Sequence, residues 1–61
     1  MTSYMICYQY TDDDGPHFAS LFANTYAQAR DVITDIVCGL GARAQLYQWD
    51  YDNEYYVFLE E

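Results

Sequence analysis

Thr25–Gly41, TYAQARDVITDIVCGLG, is the stretch that decides the fold. Its apolar residues fall at Ala29, Val32, Ile33, Ile36, Val37 and Leu40. Steps of three and four residues lay these side chains along one stripe of an amphipathic helix. Thr25 is a helix-capping residue, and Gln28 stands three positions on, the spacing of a capping box. Gly39 and Gly41 supply the stop. The far side of the helix carries Asp31 and Asp35, one turn apart, and the chain has no lysine to pair them.

The flanking segments read as sheet. Upstream, Tyr4–Tyr10 (YMICYQY) is aromatic and β-branched, which favours a strand. Tyr4, Ile6, Tyr8 and Tyr10 share one face, and Met5, Cys7 and Gln9 the other. Thr11-Asp12-Asp13-Asp14-Gly15-Pro16 is loop chemistry. His17–Ala23 (HFASLFA) fits either a strand or a helix begun at Pro16. The strand is preferred, because Asn24-Thr25 opens the next helix and Tyr4–Tyr10 needs a neighbour. Downstream, Ala44–Tyr51 and Glu54–Leu59 read as strands of a hairpin turning at Asp52-Asn53. That register sets Trp49 opposite Tyr56 and Tyr47 opposite Phe58, with Leu46, Val57 and Leu59 on the other face. Trp49 is assigned to the core.

The order β-β-α-β-β implies an α+β domain spanning residues 1–61: a four-stranded, mainly antiparallel sheet with one amphipathic helix on one face. One helix covers one face, yet both strand faces carry large residues. The second face therefore exposes aromatics, as an interaction surface or a dimer seam. Edge strands offer another route to a homodimer.

Composition narrows the function. The chain has 61 residues, near the lower limit for a self-sufficient core. A hydrophobic fraction of 52% with 20% aromatics argues against disorder despite the charge. Ten carboxylates face two arginines, Arg30 and Arg43, for a net charge of −8. Nucleic acid and anionic membranes are poor partners for such a surface; a basic protein surface, or a cation, is the natural one. Solubility is the plain alternative reading of the acidity. No transmembrane run or signal peptide is legible, and Cys7 and Cys38 lack any paired spacing, so a cytoplasmic protein with reduced, buried thiols is expected.

Topology places the acids. Asp12, Asp13 and Asp14 fall at one end of the sheet, and Asp50, Asp52 and Glu54 at the other. Asp31 and Asp35 lie between them on the helix, and Glu60 and Glu61 return to the first end. Six-residue strands make this a strip about 20 Å long. Like charges one helical turn apart destabilise a helix by roughly 0.2–0.5 kcal/mol. Their retention without lysines points to use of the negative field. Such a strip matches several backbone phosphates of a duplex, and tyrosines beside the acids can stack on arginine.

Small size, lysine-free acidity and β-β-α-β-β order together resemble the small phage-encoded inhibitors: anti-CRISPR proteins, anti-restriction proteins and inhibitors of uracil-DNA glycosylase. The resemblance rests on size, charge and element order. It implies an inhibitor acting in the host cytoplasm by mimicking DNA charge. The partner would be a basic nucleic-acid-binding protein: a Cas effector, a restriction enzyme or a DNA-repair enzyme. The partner-binding residues on this reading are Asp12, Asp13, Asp14, Asp31, Asp35, Asp50, Asp52 and Glu54, with Tyr51 and Tyr55 flanking the second acidic turn. The alternative is a protein–protein interaction module, such as an antitoxin or a small subunit, binding through the exposed aromatic sheet face.

Enzymatic chemistry is not expected. His17 is the single histidine, and on a strand Ser20 points to the opposite face. The Asp12–Asp14 run lacks the alternate spacing and closing glutamate of a calcium loop. No zinc spacing or phosphate-binding glycine loop occurs. No catalytic residue, metal or cofactor is therefore assigned.

Overall fold

The computed structural model describes residues 3–61. The elements are β1 (Tyr4–Asp12), β2 (Gly15–Ala23), α1 (Tyr26–Leu40), β3 (Arg43–Asp50) and β4 (Tyr55–Glu60). The strands form one antiparallel sheet in the order β2-β1-β3-β4. The fold is thus α+β, with α1 packed against β1, β3 and β2.

The ends of α1 follow the capping chemistry. Thr25 takes an extended backbone, and its Oγ1 accepts from Gln28 N–H at 3.2 Å. Gln28 Oε1 in turn accepts from Asn24 N–H at 3.2 Å, one residue before the usual reciprocal partner. At the other end Gly41 alone makes the stop. It adopts φ 65°, and its N–H donates to Val37 O at 3.1 Å. Gly39 stays inside the helix.

The stripe of α1 buries Ala29, Ile33 and Ile36 against Ile6 and Leu46, both 0% exposed, with Ala23 and Ala42 filling the ends. Val37 and Leu40 lie on the same stripe but are exposed. Cys38 sits about 200° around the helix from Ile36 and is exposed, not buried. Cys7 is half-buried on the uncovered sheet face. Of the two faces of β1, the one carrying Tyr4, Ile6, Tyr8 and Tyr10 meets the helix, with the three tyrosines packed against the buried cluster.

The first hairpin runs further than the turn residues imply, and the second stops short of them. β1 and β2 pair out to Asp12–Gly15, leaving Asp13-Asp14 as the turn. Gly15 takes φ 113°, a conformation glycine alone adopts readily. In the second hairpin the predicted partners hold: Trp49 opposes Tyr56 and Tyr47 opposes Phe58. The ladder closes at Asp50–Tyr55, so Tyr51–Glu54 form the loop rather than Asp52-Asn53 alone.

β4 contains a bulge. Tyr47 pairs with Phe58 and Leu46 with Glu60, so Leu59 is the extra residue. The slip turns Glu60, rather than Leu59, to the helix face. β4 also stops opposite Leu46, halfway along β3. Glu60 and Glu61 therefore do not join the Asp12–Asp14 end, a correction to the simple up-and-down layout.

Candidate partner-binding surfaces

The two hairpin tips lie at opposite ends of the sheet, because Gln9 of β1 pairs with Arg43 and Tyr4 with Gln48. Each hairpin overhangs the other, and the molecule reaches 41 Å in its longest dimension. The acidic groups thus span about twice the strip that strand length alone implies.

At the first tip Asp12 is a structural residue as well as a charged one. Its Oδ1 accepts from Asp14 N–H and from His17 Nε2–H, each at 2.8 Å. The His17 ring stacks on Tyr10, with centroids 4.8 Å apart. The His17 hydrogen bond, then the Asp14 N–H, holds the Asp12 carboxyl below its ordinary value. Asp13 and Asp14 are exposed, and their side chains make no hydrogen bond among the described residues.

At the second tip Asp50 organises the loop. Oδ1 accepts from Asp52 N–H at 2.9 Å and from Asn53 N–H at 3.3 Å, while Oδ2 accepts from Asn53 Nδ2 at 2.9 Å. Glu54 N–H closes the loop on Asp50 O at 2.8 Å. The Asn53 side-chain amide, then the backbone N–H groups of Asn53 and Asp52, hold the Asp50 carboxyl below its ordinary value. A lowered folded-state pKa stabilises the fold above the ordinary carboxylate value of about 4 and is lost as pH falls through the lowered value. Asp50→Ala is therefore expected to lower Tm at neutral pH, with the gap to the native chain closing in acid. Thermal melts at about pH 7 and about pH 2.5 check this.

Glu54 is the one non-glycine residue at positive φ among the described residues, at 58°. A side chain there costs about 1–2 kcal/mol. Glu54→Gly is expected to stabilise the domain by about 0.5–1 kcal/mol, after allowing for glycine's entropy in the unfolded chain. Urea titration measures it. Tyr51 and Tyr55 flank this loop and are exposed, at 62% and 53%.

On α1, Asp31 and Asp35 are exposed and point away from the buried stripe. Glu60, re-aimed by the bulge, accepts from Tyr26 Oη at 2.6 Å and lies 3.7 Å from Arg30 Nη1. The Glu60 hydrogen bond raises the Tyr26 phenol pKa above its usual value, so the phenol stays a donor. Arg30 is thereby occupied. Neither arginine forms an ion pair with any of the ten proposed contact residues among those described.

The uncovered face is different in kind. A row of Phe22, Met5, Tyr47 and Phe58 crosses all four strands. Beside it Trp49 packs on Tyr56 with centroids 4.9 Å apart. Phe22 also reaches Tyr56 at 6.3 Å, although their strands are at opposite sheet edges. Three strand spacings are about 14 Å, so the two rings lean toward each other across β1 and β3. Trp49 is thus half-buried in this aromatic layer, not in the helix-covered core. Phe18, Phe22 and Phe58 remain exposed, at 74%, 54% and 51%.

Charge and aromatics are segregated. Along the uncovered face the ladder positions are Met5, Cys7, Gln9, Thr11, Pro16, Phe18, Ser20, Phe22, Arg43, Gln45, Tyr47, Trp49, Tyr56 and Phe58. None is a carboxylate, and the single charge is Arg43. The acids occupy the tips, the outer side of α1, the helix-facing side of the strand ends and the C-terminal residue. The fold thus brings Asp31 and Asp35 to the same side as Asp12 and Asp50, and sets the two turns apart. Two groupings were not legible beforehand: Asp12 with His17, and Glu60 with Tyr26 and Arg30. The first follows once β1 is extended to Asp12, which sets Tyr10 opposite His17. The second depends on the bulge, for which the sequence carries no signal.

Among the described residues no helix is long and apolar enough to cross a membrane, and no group of His, Cys, Asp or Glu could hold a metal ion. Comparison with protein-family models, curated protein sequences and solved structures finds no match. The surfaces are therefore read from their own chemistry.

Proposed function

We propose that this chain is a small acidic inhibitor that occupies a basic nucleic-acid-binding surface of a host defence or DNA-processing protein. The observation that carries the reading is the segregation: acids lie along a 41 Å body and take no ladder position on one whole sheet face, where Glu61 alone lines a hollow with Phe18 and Arg43. Acidity serving solubility alone has no reason to avoid a face. Phosphates along one DNA strand repeat about every 3.4 Å, so a body of this length covers about twelve of them. A groove lined by Arg and Lys accepts these carboxylates in place of phosphates, and Tyr51 and Tyr55 stack on guanidinium groups. The inhibition is by occupancy, without catalysis or cofactor.

The test is displacement of a fluorescent duplex from a purified panel: a Cas effector, a restriction enzyme and a uracil-DNA glycosylase. Stoichiometric displacement from one of them supports the reading. Failure across basic nucleic-acid-binding proteins, with capture of a partner that has no basic groove, overturns it.

A second reading is favoured by Phe18, Phe22 and Phe58. It is an interaction module, such as an antitoxin or small subunit, that buries the aromatic face in its partner. Variants that separate the two readings are set out in the Discussion.

A further inference from the structure

We propose that two copies of this chain join through the outer edge of β2, pairing antiparallel about Ala19 into one eight-stranded sheet. β2 is an edge strand whose nine residues, Gly15–Ala23, all pair with β1 on one side. Its other side presents unpaired backbone over about 30 Å.

The two edges of the sheet are treated differently. Natural edges are blunted by short strands, bulges and charges. β4 has all three: six residues, the bulge at Leu59, and Glu60. β2 has nine residues, no register shift, and no Asp, Glu, Lys or Arg in GPHFASLFA, in a chain with ten carboxylates to place. Pro16 removes a donor only near the hairpin turn. Phe18–Phe22 are exposed throughout, on both faces, including Leu21 on the helix side. The helix does not cover this edge.

The occupant is a second copy because the strand complements itself. With all nine residues overlapped, Ala19 meets Ala19 of the other copy on the two-fold axis. Phe18 then stands opposite Ser20, pairing large with small, and Leu21 stands opposite His17. The same alignment carries the Asp13-Asp14 turn of each copy to Asn24-Thr25 of the other, where α1 begins. The first turn of α1 has no acidic residue of its own, so its positive end receives the other copy's carboxylates. This attraction opposes the repulsion between two chains of charge −8.

The test is sedimentation equilibrium of the full chain from low micromolar to submillimolar concentration. A reversible dimer that tightens with added salt is expected, since salt screens the net repulsion. Binding to a basic partner weakens with salt, so the two associations are told apart. Ala19→Lys sets like charges face to face and should weaken the dimer by about tenfold or more, with far-UV circular dichroism unchanged. Independently, in a Cys7→Ser/Cys38→Ser background, Ala19→Cys should oxidise to a covalent dimer, while Phe22→Cys, which lies opposite Pro16, should not. A chain monomeric throughout overturns the proposal. So does a dimer that Ala19→Lys leaves intact, or one cross-linked by Phe22→Cys and not by Ala19→Cys.

Discussion

Ile6→Ala is expected to leave no cooperatively folded domain at 37 °C. Ile6 and Leu46 are the only large side chains fully buried among the described residues, and the remaining core is three alanines and two isoleucines of α1. Truncating a buried Ile or Leu costs about 2–5 kcal/mol. A single core in a chain of this size supplies about 3–5 kcal/mol in all. The loss therefore equals most of the folding free energy. Ile6 is also central, pairing with Leu21 on one side and Leu46 on the other, so the cavity cannot be closed by an edge shifting inward. Circular dichroism against temperature measures it: a featureless melt for Ile6→Ala, and a cooperative one for Ile6→Val, which costs about 0.5–1.5 kcal/mol. A cooperative melt for Ile6→Ala within a few degrees of the native chain would mean that the aromatic layer on the other face, not this core, holds the sheet.

The second large effect is on binding. Asp12 and Asp50 are poor choices for neutralisation, because each also fixes its own turn. Asp13, Asp14, Asp31, Asp35 and Asp52 have exposed carboxylates without a side-chain hydrogen bond among the described residues. Changing these five to Asn removes half of the acidic charge and relieves the Asp31–Asp35 repulsion, worth roughly 0.2–0.5 kcal/mol to the helix. Stability should hold or rise. Duplex displacement from the basic partner should weaken by about a hundredfold or more, or about 2.7 kcal/mol, roughly 0.5 kcal/mol per charge. Phe18→Ser with Phe58→Ser should leave displacement unchanged, since those rings lie on the face whose ladder positions hold no carboxylate, away from the five aspartates. The opposite pattern, with binding lost on changing the phenylalanines and kept on neutralising the acids, favours the interaction-module reading.

Patterning reaches the architecture because the helix signal is redundant. Thr25, Gln28, the Ala29–Ile36 stripe and Gly41 all point to the same element, and its presence forces the flanking strands into one sheet. The Trp49–Tyr56 and Tyr47–Phe58 pairs follow from period-two alternation about the Asp52-Asn53 turn. What escapes is set by tertiary geometry. A bulge adds a residue without any local signature, and it alone decides that Glu60 rather than Leu59 faces the helix. Likewise Trp49 has the composition of a core residue, but its strand parity places it on the uncovered face. The exposure of Cys38 could have been read from its angle on the helix. The positions of Asp13, Asp14, Asp31, Asp35 and Asp52 were legible, because turns and the outer side of a helix leave charges nowhere else to go. The bonds of Asp12 and Asp50 depend on how the two turns close.

Salt dependence of binding to the displaced enzyme tests the central claim most directly. An acidic surface that replaces DNA phosphates exchanges the same Arg and Lys contacts, so the association constant should fall steeply with ionic strength. Across 50 to 200 mM salt the expected loss is about 30-fold or more, in the manner of a multi-phosphate contact. The five-Asn variant should show a visibly shallower slope. An association constant that is flat over this range, with or without the five substitutions, would contradict charge mimicry.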